Sequence, residues 1–225
     1  MNKLNVLYED NHIIVVEKKP NVLCQSDYTK DLDLLTMVKN YVKEKYEKPG
    51  NVYIGLVHRL DRPVGGIMVF ARTSKAAARL SKIIQNHEMK KEYLLVCEGK
   101  LNDSGYFEDY IEKIDAVSVI SNEVNGKYSK LEYEVIDRKE NLNLVKVNLI
   151  TGRHHQIRLQ FASRHCPLYG DQLYGKQDKK QIALYAYHLS FKHPVKEEIM
   201  DFKLMPQGGI WSEFRYDAWI IGTSW

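Results

Sequence analysis

Short aliphatic and β-branched runs recur along the whole chain, each closed by turn residues, and only three stretches carry helical spacing. Residues 4–8 and 13–16 flank the turn residues Asp10-Asn11 and predict a hairpin, which Pro20 closes. From 33 to 46 the apolar positions Leu34, Leu35, Val38, Tyr41 and Val42 follow a helical period, and Lys48-Pro49-Gly50 ends it. Residues 54–57 and 67–70 read as strands around the irregular segment HRLDRPVGG. Thr73-Ser74 then caps a helix to about His87, with Ala77, Leu80, Ile83 and Ile84 as its apolar stripe. Further strands are expected at 92–97, 131–136, 142–149 and 183–189, with Asn102-Asp103-Ser104-Gly105 as a turn. Thr151-Gly152-Arg153 breaks the chain before a short helix from 156 to about 163, and Pro167, Gly170 and Gly175 mark a loop. Hairpins mixed with separated helices predict an α+β fold with a largely antiparallel sheet, not a doubly wound parallel one.

At 225 residues the chain is long enough for a sizeable core, and 44% hydrophobic with 28% charged residues is the balance of a soluble globular protein. We expect one domain over 1–225, without internal repeats or linkers. No apolar run nears the roughly 18 residues of a membrane span, and the start MNKLNVLYED lacks the apolar stretch of a secretory signal. Cys24, Cys97 and Cys166 form no CxxC pair, which argues against a disulfide framework or a cysteine metal site and for a reducing, cytoplasmic setting. The formal charge is only +4, but it is unevenly placed. Residues 151–196 hold eight Lys/Arg against two acids, whereas 101–143 hold ten acids against five bases. Such polarity steers a polyanion to one face or simply makes a solvated basic face.

Three segments carry chemistry. In His58-Arg59-Leu60-Asp61-Arg62-Pro63-Val64-Gly65-Gly66, Pro63 keeps Arg62 out of helical geometry and the glycines permit a tight bend. A carboxylate bracketed by Arg59 and Arg62 stays ionised and can act as nucleophile or base. The same residues would also serve as a structural ion pair at a strand end. In Thr151-Gly152-Arg153-His154-His155-Gln156-Ile157-Arg158, a basic run meets the start of a helix, where backbone N–H groups and arginine favour anions. Neighbouring His154 and His155 invite a metal, but adjacent side chains diverge and no Asp, Glu or Cys follows at ligand spacing, so none is expected. In Lys91-Glu92-Tyr93, Tyr93 shares a strand face with Leu95 and Cys97 and is either a core tyrosine or a ring that stacks on a base.

Together these segments resemble the family of RNA pseudouridine synthases that contains RluA. The likeness runs from about residue 4 to about 205, through LNVLYEDNHIIVVEKKPNVL, HRLDRPVGGIMVFARTSKAAARL, KKEYLLVCEG, TGRHHQIRLQFASRHCPLYGDQLYG and LYAYHLSFKHP. It implies a mixed, mainly antiparallel β-sheet with flanking helices and a central RNA-binding cleft. It implies that Asp61 is the essential acid, that Arg59 fills the gap left by a flipped uridine, that Tyr93 stacks on the base and that Arg158 pairs with the aspartate. Leu184, before the Tyr-Ala that replaces His-Ala, matches a pocket-lining residue, and His58, Arg62, Arg153 and His155 complete the RNA-facing set. The sequence departs from the pattern at Val64-Gly65-Gly66, where Thr-Ser-Gly is usual and two hydroxyls are lost, and at HHQ in place of THQ. The catalytic segment begins at once, where many relatives place an S4 RNA-binding domain first.

The expected activity is therefore isomerisation of uridines in tRNA and/or rRNA to pseudouridine on a base-flipped nucleotide. No atoms are gained or lost, so no cofactor is expected. The enzyme is expected to act on RNA as a cytoplasmic monomer without membrane contact. A non-catalytic RNA-binding or assembly factor is the alternative, and a nucleoside hydrolase ranks below it, since no second acid lies near Asp61 in the motif.

Overall fold

The computed structural model describes residues 4–29 and 31–215. In chain order the elements are β1 (Val6–Glu9), β2 (Ile13–Lys18), α1 (Leu34–Lys45), β3 (Gly55–Leu56), β4 (Gly65–Ala71), α2 (Ser74–Gln85), β5 (Lys90–Glu98), β6 (Ser104–Ile114), β7 (Val117–Ser121), β8 (Lys127–Lys139), β9 (Leu142–Leu149), α3 (Gln156–Ala162), β10 (Leu184–Lys192), β11 (Ile199–Lys203) and a short 3-10 helix (Gly209–Glu213). They divide between two compact units, one built from residues 1–90 and 186–204, the other from 91–185 and 205–225.

In the first unit β1 pairs with β2, β2 with β4 and β10 with β11, all antiparallel. The β-branched run Ile13-Ile14-Val15-Val16 suits a strand covered on both faces, and each of the four is fully buried. Ile13 and Val15 join Ile67, Val69 and Ala71 of β4, Ala76 and Leu80 of α2, and Leu189 and Phe191 of β10 in one apolar core. Ala77, Ile83 and Ile84, expected as the buried stripe of α2, pack against that core only partly buried, because the helix turns Ala76 inward. Both long helices start where capping chemistry places them. Asp33 accepts from the Thr36 N–H at 2.9 Å and Thr73 Oγ1 from the Ala76 N–H at 3.1 Å, contacts worth about 1 kcal/mol each.

The second unit holds an antiparallel sheet in the order β5-β9-β8-β6-β7. Phe161 of α3 is fully buried between Phe107 of β6 and Tyr133 of β8, with ring centroids 5.1 and 5.9 Å away. Ser104 and Gly105, expected within a turn, instead open β6 and pair with Glu134 and Tyr133. Cys97 and Cys166 are buried in this unit, and Cys24 in the other. Trp211 is buried in the 3-10 helix, while Trp219 and Trp225 lie outside the described residues. Among the described residues no helix is long and apolar enough to cross a membrane.

Most of the basic side chains over 151–196 have an acidic partner. Arg158 pairs with Asp171, Arg164 with Asp109, Lys176 with Glu98, Lys180 with Asp178, Lys192 with Glu197 and Lys196 with Asp10. Lys192 and Lys196 belong to the first unit and the other four to the second, so the charge is both divided and largely compensated.

Candidate active site

The HRLD segment crosses from β3 to β4 in the first unit. Its backbone is fixed from the buried side. Lys18, the last residue of β2, is fully buried, and its Nζ donates to the carbonyl oxygens of Val22 at 2.6 Å and Arg62 at 2.9 Å. Cys24 Sγ lies 3.1 Å from the Leu60 carbonyl oxygen and 3.4 Å from the Leu60 N–H. The residues on both sides of Asp61 are thus held at their main chain. Val64 N–H closes a turn onto the Asp61 carbonyl at 3.0 Å. Burial brings the Lys18 ammonium down to about 8, although Cys24 and Asp61 pull the other way. Burial pushes the Cys24 thiol up.

Gly66 explains the one glycine this segment shares with the family pattern. Its φ is +134°, and a Cβ there would sit 2.4 Å from the Ala186 carbonyl oxygen in β10. Neither the conformation nor the space admits a side chain. His58 Nε2 accepts the Val69 N–H at 3.1 Å, which assigns that nitrogen to orienting the segment on β4. Arg59 is exposed and Asp61 half-buried. The bracket of two arginines around Asp61 is altered in one respect: the Arg62 guanidinium meets Asp31 at 2.6 Å.

The second unit holds Tyr93, Arg153, His155, Arg158 and Leu184. Arg158 on α3 forks onto Asp171, Nε to Oδ2 at 2.9 Å and Nη2 to Oδ1 at 2.7 Å, with only 7% and 0% of the two side chains exposed. Asp171 Oδ1 also accepts the N–H groups of Leu173 and Tyr174. Burial pushes the Asp171 carboxyl up, but the Arg158 hydrogen bonds and charge outweigh it and leave it below the usual carboxylate range. The Tyr174 ring lies 5.4 Å from the Arg158 guanidinium, and its hydroxyl accepts the Ser118 N–H at 2.8 Å and meets His155 Nδ1 at 3.0 Å. Arg158 is therefore seated on a carboxylate held by two backbone N–H groups and on a phenol pinned to β7 through Ser118.

His154 and His155 do not diverge as expected. Their rings stack at 3.7 Å and 27°, because His155 takes a left-handed backbone with φ 53° that swings consecutive side chains together. Their Nδ1 atoms are engaged by Ser118 Oγ and the Tyr174 hydroxyl. Gln156 closes the start of α3, with Oε1 accepting from the Arg153 N–H and Thr151 Oγ1 and Nε2 donating to the Lys130 carbonyl and Gln160. The Arg153 N–H is thus occupied from within the fold, and Arg153 Nε donates to the Tyr128 carbonyl. Tyr93 in β5 is 8% exposed, and its same-face neighbours Leu95 and Cys97 are fully buried. Leu184 is buried at the start of β10.

The sequence reading missed Lys18, Cys24, Asp171 and Tyr174. A lysine at the end of a strand that opens with four apolar residues, just before the Lys19-Pro20 step, was the one available signal. The others have partners too distant in sequence to be anticipated.

The family model described as RNA pseudouridylate synthase matches residues 12–163, which include the HRLD segment, Tyr93 and Arg158. The chain belongs to this family. The synthase is 33% identical over 219 residues to an uncharacterised RNA pseudouridine synthase of Aquifex aeolicus, covering 89% of this chain and 69% of the relative. It is 28% identical to the ribosomal large subunit pseudouridine synthase D of Zymomonas mobilis, covering 91% and 70%. The solved structure of human RNA pseudouridylate synthase domain containing 4 shares the fold at a TM-score of 0.77 and 19% identity, over 90% of this chain and 88% of that one. The protein is thus an isomerase that forms pseudouridine in RNA, on an α+β fold of the kind expected.

Proposed function

We propose that the synthase modifies uridines of ribosomal or transfer RNA in the cytoplasm as a monomer, with Asp61 as its essential acid. The main-chain clamp on either side of Asp61 carries this reading, since a reacting carboxylate must be held in place rather than carried on a free loop. Relatives named for the ribosomal large subunit make ribosomal RNA the first substrate to examine.

The reaction breaks the bond from uracil N1 to ribose C1′, turns the base and joins C5 to C1′, after which C5 releases a proton and N1 gains one. The uridine leaves the stack at a cost of a few kcal/mol, and Arg59 occupies the vacated space. Asp61 attacks C1′ or removes a ribose proton, and either role needs the ionised acid. Arg158 favours that ionised form. Tyr93 offers its ring to the detached uracil.

The test is a map of pseudouridines in total RNA from cells with and without the gene, repeated with Asp61→Asn supplied in trans. Sites that vanish with the gene and return with wild type but not with Asp61→Asn support the proposal. Full restoration by Asp61→Asn defeats it.

A further inference from the structure

Arg62 is fixed at its main chain and loosely held at its head. Lys18 grips its carbonyl, while the guanidinium reaches solvent, 46% exposed, and pairs with an Asp31 side chain that is 50% exposed. An exposed pair of this kind is weak, and a phosphate oxygen offers the same fork-shaped partner as a carboxylate. Asp31 belongs to a surface stretch after Cys24 in which Tyr28 is 93% exposed and Leu32 61%. Neither side chain contributes much to the core. The Arg62 charge also reaches Asp27 in the same stretch, whose carboxyl is held below its ordinary range chiefly by Thr29 and, in smaller part, by Arg62. A displaceable cation paired to the stretch that carries an unburied aromatic ring offers what single-stranded nucleic acid needs, one group for the backbone and one for a base face. Arg62 directly follows Asp61, so whatever it holds lies beside the reacting acid.

We propose that Arg62 and Tyr28 grip the single strand next to the target uridine, Arg62 on a phosphate and Tyr28 on a neighbouring base, and that Asp31 is the internal counter-ion which the phosphate displaces. The proposal rests on the reading of Asp61 as the catalytic acid. In the free protein Asp31 occupies the guanidinium, so a polyanion that cannot place a phosphate there gains nothing from Arg62. A strand that can do so exchanges one weak pair for another and adds the stacked base. Asp31 then acts as a filter against loosely bound polyanions.

The experiment measures binding of a fluorescein-labelled single-stranded oligouridylate across a salt series. Arg62→Gln should make the log–log salt slope shallower by about 0.7, one phosphate's worth on a single strand. Tyr28→Ala should weaken binding about 5-fold or more, with Tyr28→Phe within about 2-fold of wild type, because stacking needs the ring and not the hydroxyl. Asp31→Asn should tighten binding about 1.5- to 5-fold, and that gain should vanish in the Asp31→Asn/Arg62→Gln double variant. A gain that persists without Arg62 would mean general charge repulsion and would overturn the counter-ion role. Wild-type affinity and slope in both Arg62→Gln and Tyr28→Ala would overturn the contact itself. Pseudouridine mapping with the same proteins separates the two readings. An active enzyme with unaltered binding sinks this proposal alone, whereas normal responses in a protein that converts no uridine sink the catalytic reading and leave the contact standing.

Discussion

Lys18 Nζ lies 2.9 Å from the carbonyl oxygen of Arg62, so the residue that follows Asp61 is tied to the end of a strand 44 positions earlier in the sequence. The ammonium is fully buried and its acceptors are carbonyl oxygens, also including Lys19 at 3.3 Å. Its work is therefore to hold backbone, and through that backbone to hold Asp61.

Lys18→Met is expected to lower kcat about tenfold or more, with little effect on RNA affinity. It leaves the Val22 and Arg62 carbonyls without this buried donor, at about 1–3 kcal/mol each, against which it removes a buried charge. The pH dependence has a definite sign. Lys18 releases its proton at about 8 in the folded protein against 10.5 for an ordinary lysine. Between these values the unfolded chain binds more protons, so stability rises with pH. Urea melts of wild type and Lys18→Met should diverge in favour of wild type from pH 8 to 10. Convergence over that range would contradict the assignment.

Asp171→Asn breaks a buried ion pair and is expected to destabilise by about 3–5 kcal/mol at pH 7. Because the folded carboxyl is held below its ordinary value, its contribution is present above about pH 4 and fades as the solution is acidified through the lowered pKa. Denaturant midpoints of the two proteins should therefore approach each other toward pH 3.

Gly66→Ala should be the most damaging small substitution in the HRLD segment and the turn after it. It combines a φ of +134° with a Cβ 2.4 Å from a backbone oxygen in β10. A loss of about 3 kcal/mol or more is expected, and Gly65→Ala offers a control without the positive φ. Thermal melts decide it.

Tyr174→Phe removes a hydroxyl that serves the Ser118 backbone and His155 Nδ1. A destabilisation of about 1–3 kcal/mol is expected from the Ser118 N–H alone. Turnover should fall only where the fold does, since phenylalanine keeps the ring face that meets the Arg158 guanidinium. Comparison of kcat at saturating RNA with the melting midpoint checks the link.

Local chemistry was readable in the sequence where the cause is local. Thr73 caps the helix it was expected to cap, and residues 142–149 form the strand that was expected there. The strand β6 was not separately delimited within an acidic middle that reads as several strands, because its exposed and half-exposed positions carry Glu, Asp and Lys that blur the apolar alternation. The stacked histidines were misjudged because a left-handed residue at 155 has no signature in a non-glycine side chain. Asp61, Arg59 and Arg158 could be named from motifs, yet Asp171 lies 13 residues from Arg158 and Cys24 lies 36 from Leu60, separations that only the folded chain resolves.

The first unit is not contiguous in the gene. Ala186, against which Gly66 is fitted, belongs to the stretch 186–204 that returns after the whole of 91–185 has been made. A nascent chain released at residue 90 would carry the complete HRLD motif and both long helices, yet lack the strand against which the motif is moulded. Pausing or truncation during translation should therefore yield a species that contains Asp61 but not the strand that shapes its segment. Maturation of the enzyme has to wait for ribosomal synthesis to proceed well past the second unit's helix.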